Sequence, residues 1–140
     1  MKPEKPQKSV PVASIVSLGG IAPEFDMPVS IPRLGAEPVI VVMKGKGMRK
    51  SEWLKLRDEQ LNEARGSKDT TADEEFSFVQ FFSGKTKEAA ELVCKAIAGW
   101  ELEDTFSVAS LVDMEDMYPG SLPAILSAYD SALLQGRLGN

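Results

Sequence analysis

Pro28-Val29-Ser30-Ile31-Pro32 and Val39-Ile40-Val41-Val42-Met43 are the two stretches of sequence that decide the fold. The first alternates apolar and polar side chains, and the second is a run rich in β-branched residues; both patterns are typical of strands. Residues 33–38 connect them and contain Gly35, a residue that favours a turn. The two stretches therefore predict a β-hairpin.

Prolines and the unbroken apolar run indicate how this hairpin is covered. Pro28, Pro32 and Pro38 suit strand ends or an outer edge, because proline has no N–H to donate to a neighbouring strand. The run at residues 39–43 has no polar interruption, which suggests a strand covered on both faces. The hairpin then requires helices packed over it.

Two longer helices are predicted after the hairpin. The first starts near Met48, with Ser51 as a possible cap and Gly66 as its end. The second starts at the capping box of residues 71–74, and Gly84 either leaves it continuous or splits it. Its later part has a clear apolar stripe that runs up to a stop at Gly99. The stripe consists of Ala89, Leu92, Val93, Ala96, Ile97 and Trp100.

Two shorter helices complete the prediction. Phe106 and Leu111 flank Ser107 at the spacing of a hydrophobic staple, so Ser107 should cap a helix that ends at Pro119-Gly120. Ser121 can cap the last helix, which Gly136 closes. The fold class is therefore α+β and mainly α, with an N-terminal β-hairpin packed on about four helices.

The beginning of the chain is the least regular part. Residues 1–11 are rich in proline and lysine and bury little, so we expect a flexible tail, followed by a single domain over residues 12–140. Residues 12–21 are weakly apolar and are either a short edge strand or a segment that orders only against a partner. We expect neither an export signal nor a membrane span.

Composition argues against several classes of function. The formal net charge is −5 and the pI is about 4.8, which disfavours binding to nucleic acid. The sequence has no histidine and one cysteine, Cys94, so the commonest catalytic base and any multi-cysteine metal site are absent. We expect no enzymatic activity, no catalytic residue, no cofactor and no bound metal.

Three patterns could carry chemistry, and each has a simpler explanation. Phe82-Ser83-Gly84-Lys85-Thr86 contains the Gly-Lys-Thr of a phosphate-binding loop but lacks its leading glycine and its preceding strand. The carboxylates at residues 101–104 and 113–116 favour a solvated acidic surface, which could also meet a basic partner. Cys94 has no histidine to activate it and should simply pack.

Large apolar side chains are the best candidates for binding a protein. Trp100 and Tyr129 are expected in the core, whereas other aromatic residues are not obviously accommodated by one helical stripe. The segment at residues 76–82 is apolar around much of its circumference, so it should be deeply buried or lie at an interface. The interaction candidates are Trp53, Phe76, Phe78, Phe81, Phe82 and Tyr118.

The order of these turns, caps and anchors resembles that of phage tail assembly chaperones, from about residue 12 to the end of the chain. Each short motif is common to many folds, and their order and spacing carry the resemblance. The motifs are Pro28-Val29-Ser30-Ile31-Pro32, the Gly35 turn, residues 39–44, Arg49-Lys50-Ser51-Glu52-Trp53, Ala98-Gly99-Trp100-Glu101-Leu102, Phe106-Ser107, Tyr118-Pro119-Gly120-Ser121, Ala128-Tyr129 and Gly136-Arg137-Leu138-Gly139-Asn140.

The resemblance implies a non-catalytic protein of the bacterial cytoplasm, in an infected or a lysogenic host, that is absent from the mature virion. Such a protein binds the tape-measure protein, keeps it soluble and helps to recruit tail-tube subunits. It also implies self-association and, in many members, a second form extended by a frameshift. No nucleic acid, membrane or cofactor is implied as a partner.

Two other hypotheses stay open at this stage. A structural tail or head-tail connector subunit of a phage or prophage would also be small and α+β, but it would persist in mature particles. An enzyme would have to act through Asp113, Glu115 or Lys85.

Overall fold

The computed structural model describes residues 14–66 and 77–138. Within these ranges the chain forms a three-stranded antiparallel sheet and four α-helices, preceded by a short 3-10 helix at Ile15–Leu18. The strands are β1 (Glu24–Arg33), β2 (Ala36–Lys46) and β3 (Ile97–Trp100). The helices are α1 (Lys50–Gly66), α2 (Phe78–Ala96), α3 (Val108–Met117) and α4 (Ser121–Gln135). The predicted α+β, mainly α class is confirmed.

The predicted hairpin is present and is longer than the two stretches that revealed it. β1 and β2 pair antiparallel, with Met27 opposite Met43 and Val29 opposite Val41. The connection is a tight turn that contains Gly35, whose φ of 75° is readily adopted only by glycine. The predicted turn residue and both predicted strands are therefore confirmed.

The apolar run of β2 is covered on one face only, so the prediction of coverage on both faces was wrong. Val41 and Met43 are buried, whereas the side chain of Ile40 is 54% exposed. β1 shows the same alternation, with Met27, Val29 and Ile31 buried. The β-branched run reflects strand propensity, and the open face of the antiparallel hairpin tolerates apolar residues.

The prolines lie where the sequence placed them, on an outer strand or near a strand end. The strand order is β1-β2-β3, so Pro28 and Pro32 lie on an outer strand. Pro38 lies near the beginning of β2. An outer strand that carries prolines lacks some of the N–H groups that would pair with another chain.

β3 was not predicted. The apolar stripe of the second helix was expected to continue through Ile97 to Trp100, but α2 ends at Ala96. Residues 97–100 instead pair with β2, with Trp100 opposite Met43 and Gly99 opposite Lys44. The three-residue spacing of Ile97 and Trp100 suits a helix, but pairing with the distant strand β2 favoured the extended conformation.

The beginnings of the first two helices differ from the prediction. In α1 the carboxylate of Glu52 accepts a hydrogen bond of 2.8 Å from the backbone N–H of Arg49, so Glu52 and not Ser51 provides the side-chain cap. α2 begins at Phe78, and its N-cap is Ser77, whose hydroxyl accepts from the Gln80 N–H. The capping box of residues 71–74 lies outside the described residues.

The remaining boundaries are mostly as expected. α2 runs through Gly84 without interruption. Ser107 caps α3 by a reciprocal capping box with Ser110, and Gly136 ends α4 in the left-handed conformation with φ of 66°. Residues 14–21 form no strand; Ile15, Val16 and Leu18 of the 3-10 helix are exposed.

A cluster of hydrogen bonds and one aromatic contact joins α1, α4 and the sheet. The indole N–H of Trp53 donates to Asp130 at 2.7 Å, and the Arg57 guanidinium donates to the other Asp130 oxygen at 2.8 Å. Trp53 is completely buried and meets Tyr129 edge to face, with ring centroids 4.6 Å apart. The Tyr129 hydroxyl donates to the Lys46 carbonyl of β2 at 2.5 Å. We call these residues the Trp53 cluster.

Replacing Asp130 by Ala should destabilise the protein by about 2 kcal/mol, because the buried indole N–H and the Arg57 guanidinium both lose their acceptor. Chemical denaturation monitored by tryptophan fluorescence measures this change. Asp58→Ala, at an exposed site on α1, is the matched control and should stay within about 0.5 kcal/mol of the wild type. Equal stability of the two variants would contradict the importance of the cluster.

Stability should fall at alkaline pH because of Tyr129. Burial raises the pKa of Tyr129 to about 12, and the Glu52 carboxylate adds to the rise. The folded protein thus keeps the phenol proton at a pH at which the unfolded chain loses it. The stabilisation is complete below about pH 10 and is lost as the pH rises towards about 12. Tyr129→Phe should remove this part of the pH dependence of the free energy of unfolding; parallel curves for the two proteins would contradict the assignment.

Candidate functional site

An exposed apolar surface lies at the beginning of α2, and we call it the phenylalanine patch. The patch consists of Phe78, Val79, Phe81 and Phe82, whose exposed fractions are 68%, 76%, 39% and 54%. The Phe78 and Phe82 rings stack with centroids 6.0 Å apart, and the Phe81 ring meets Phe82 edge to face at 5.1 Å. The rings therefore form one ordered apolar surface that is accessible to a partner.

The patch is exposed because only the second half of α2 packs into the core. Ala90, Leu92, Val93 and Ala96 are all buried, and each belongs to that second half. The first half lies beside α3, but none of the patch residues is fully buried there. Phe78, Phe81 and Phe82 are exposed rather than deeply buried, and their place at an interface stays a prediction.

The other predicted interaction residues are in different environments. Trp53 is entirely buried in the Trp53 cluster, so it presents no atom to a partner in this structure. Tyr118 is 38% exposed at the end of α3, beside Met117, which is 63% exposed. Phe76 lies outside the described residues. The structure thus brings Phe78, Phe81 and Phe82 together and separates Trp53 from them.

A groove of about 740 Å³ runs beside the patch, between the first half of α2 and α3. We call it the α2–α3 groove. Phe82 belongs both to the patch and to the groove, so the two surfaces are continuous. The α2 side is lined by Phe82, Ser83, Thr86 and Lys87, and the opposite side by Val108, Ala109, Val112, Asp113, Glu115 and Asp116 of α3 together with Pro119.

The sequence indicated Val79, inside the apolar segment at residues 76–82, and the carboxylates at residues 113–116 as a side that could meet a basic partner. It did not identify the apolar residues on the α3 side of this groove. Val108, Ala109 and Val112 lie on a short helix whose sequence does not show which apolar side chains stay partly accessible. Their accessibility depends on the position of α2, which is set by contacts distant in sequence.

The acidic residues serve different purposes. The Glu115 carboxylate accepts hydrogen bonds of 2.8 Å from the backbone N–H groups of Gly120 and Leu122, so it caps the beginning of α4. This corrects the prediction that Ser121 is the cap: its hydroxyl instead donates to the Tyr118 carbonyl.

The other acidic residues have different roles. The Glu101 carboxylate accepts a hydrogen bond from the Val42 N–H of β2. Asp113 and Asp116 are exposed beside the groove.

The other side chains with chemical potential lie in ordinary structural positions. Cys94 is partly buried, and this burial raises the pKa of its thiol, which disfavours the reactive thiolate. The Gly-Lys-Thr sequence lies inside the continuous α2 helix, where the Lys85 ammonium is 4.9 Å from the centroid of the Phe81 ring. Among the described residues, no group of three or more acidic, cysteine or histidine side chains could hold a metal ion.

These features define the class of protein: an α+β subunit whose accessible apolar helix surface suits protein binding. The chain belongs to the phage tail assembly chaperone family, whose model matches residues 13–140. The resemblance noted in the sequence is thereby confirmed, and the role of the family is non-enzymatic. Comparisons with curated proteins and with solved structures find no match. In the described parts of the chain, no helix is long and apolar enough to cross a membrane.

Proposed function

We propose that this chaperone binds the tape-measure protein, keeps it soluble and helps to recruit tail-tube subunits around it. It would act in the cytoplasm of the infected or lysogenic host and be absent from the mature virion. The observation that carries the proposal is the phenylalanine patch, which is an exposed apolar surface on a folded subunit. Exposed aromatic clusters of this kind are typical of sites that bind other proteins.

A weak site on each subunit is sufficient for a long client. A tape-measure protein is long and helical, with apolar surface along its length, so many copies of one chaperone can bind side by side. Linked or neighbouring sites then act through effective concentration, and the assembly holds the client more tightly than any single contact. Self-association of the chain, and contacts made by a frameshift-extended form where one exists, would reinforce the same coat.

Substitutions in the patch should have little effect on the stability of the subunit. Phe78, Val79 and Phe82 are each more than half exposed, so most of their apolar area faces solvent. The core lies around the second half of α2 and does not depend on them. Substitutions in the patch can therefore test binding separately from folding.

Co-expression with the tape-measure protein tests this function. The wild type should keep the client in the soluble fraction, whereas Phe78→Ser/Phe82→Ser should lower soluble client by about tenfold or more, since truncating one central aromatic residue at an interface costs about 2 kcal/mol. Leu34→Ser is the matched control, because Leu34 is a 90% exposed apolar residue at the hairpin turn, and it should behave as the wild type. Circular dichroism checks that all three proteins fold.

Two outcomes would contradict the proposal. If the client is equally insoluble with and without the wild-type chain, the chaperone does not act on it. If mass spectrometry detects the chain in mature virions at the abundance of a tail component, the alternative of a structural tail or connector subunit is favoured instead.

A further inference from the structure

We propose that the α2–α3 groove binds an amphipathic α-helix whose apolar stripe is flanked by lysine or arginine. This inference rests on the proposed function and deepens it, since it specifies the chemistry of the client segment that the chain recognises. Shape, charge and the position of the phenylalanine patch each contribute to it.

The shape of the groove suits a helix. Phe82 and Thr86 are four residues apart on α2, and Ala109 and Val112 are three apart on α3, so each wall is one face of a helix. A third helix can place its side chains between two such walls at the usual separation of about 8–10 Å. The apolar residues of both walls would meet its apolar stripe.

The charge of the groove favours a basic occupant. Asp113 and Asp116 are exposed on the α3 side, whereas Lys87 is the cation on the opposite side. Asp116 lies in the last turn of α3, where a negative charge opposes the helix dipole, so helix stability does not explain its presence. Basic residues on the side of the incoming helix that faces α3 would pair with both carboxylates.

The phenylalanine patch extends the same surface. Because Phe82 lines the groove and also stacks with Phe78, a helix in the groove can continue onto the patch. A second copy of the chain suits the groove less well, because each chain carries a net charge of −5 and would bring further negative charge to the acidic side. The preferred occupant is therefore a basic helix of the client.

Binding of synthetic peptides to the full-length chain tests the proposal. Two helical peptides of about 18 residues, or five turns, share one leucine stripe and differ only in lysine or glutamate flanks. Fluorescence anisotropy should show that the wild type binds the lysine peptide about tenfold more tightly than the glutamate peptide. Asp113→Lys/Asp116→Lys should abolish or reverse this preference, and both substitutions are compatible with the dipole of α3.

Two further variants make the result specific. Asp58→Lys/Glu103→Lys changes the net charge equally at exposed sites outside the groove lining and should keep the wild-type preference. Ala109→Trp fills the groove from an exposed helix position and should weaken both peptides by about tenfold or more.

The proposal is overturned if the lysine peptide binds the charge-reversed variant as tightly as it binds the wild type, or if Ala109→Trp has no effect. It is also overturned if groove variants change the oligomeric state measured by light scattering while peptide binding is unchanged, since the groove is then an interface between copies. Each of these results contradicts the groove proposal alone, provided that the wild-type chain still keeps the tape-measure protein soluble. If the wild-type chain does not keep that protein soluble, the proposed function itself fails.

Discussion

The hydrogen bond from the buried Trp53 indole to Asp130 is the contact on which the arrangement of the subunit depends. Asp130 also accepts from Arg57, so a single carboxylate fixes two side chains of α1 against α4. The next residue, Tyr129, packs on Trp53 and donates to the Lys46 carbonyl, which connects α4 to the sheet. α1, α4 and β2 are fixed in this way, and α2 packs its second half into the same core.

The division of α2 into two halves connects the fold to the function. Its second half contributes Leu92, Val93 and Ala96 to the core, whereas its first half carries phenylalanines that remain accessible. Burying the first half as well would stabilise the subunit further, since each Å² of apolar surface removed from water contributes about 25 cal/mol to the free energy of folding. The accessible half is instead available for a partner, and the neighbouring Asp113 and Asp116 give the surface a charge preference that an apolar patch alone lacks.

The elements that could be predicted are those defined by local chemistry. The alternation at residues 28–32, the β-branched run at 39–43 and the glycine between them are sufficient for a hairpin, and Ser107 and Gly136 mark helix ends through contacts a few residues away. The errors arose where a distant contact decided the outcome. Residues 97–100 became a strand because β2 offered hydrogen bonds, and Glu115 caps α4 because α3 brings its carboxylate to those amides.

The candidate site shows the same limit. The excess of apolar helix surface could be seen in the sequence, and it pointed to Phe78, Phe81 and Phe82, which are exposed in the structure. The sequence did not separate them from Trp53, because an aromatic side chain on a helix has the same local pattern in a core and at an interface. Only the partner of the Trp53 N–H, which lies 77 residues away at Asp130, distinguishes the two.

Hydrogen exchange of the chain, alone and bound to its tape-measure client, tests the central claim that the accessible half of α2 is the binding surface. Backbone amides at residues 78–89, together with those of α3 that line the groove, should exchange more slowly in the complex, while those of the buried strand segment around Met27 and Val29 should be unchanged. Slower exchange confined to the sheet or α4, with α2 and α3 unaffected, would contradict the account.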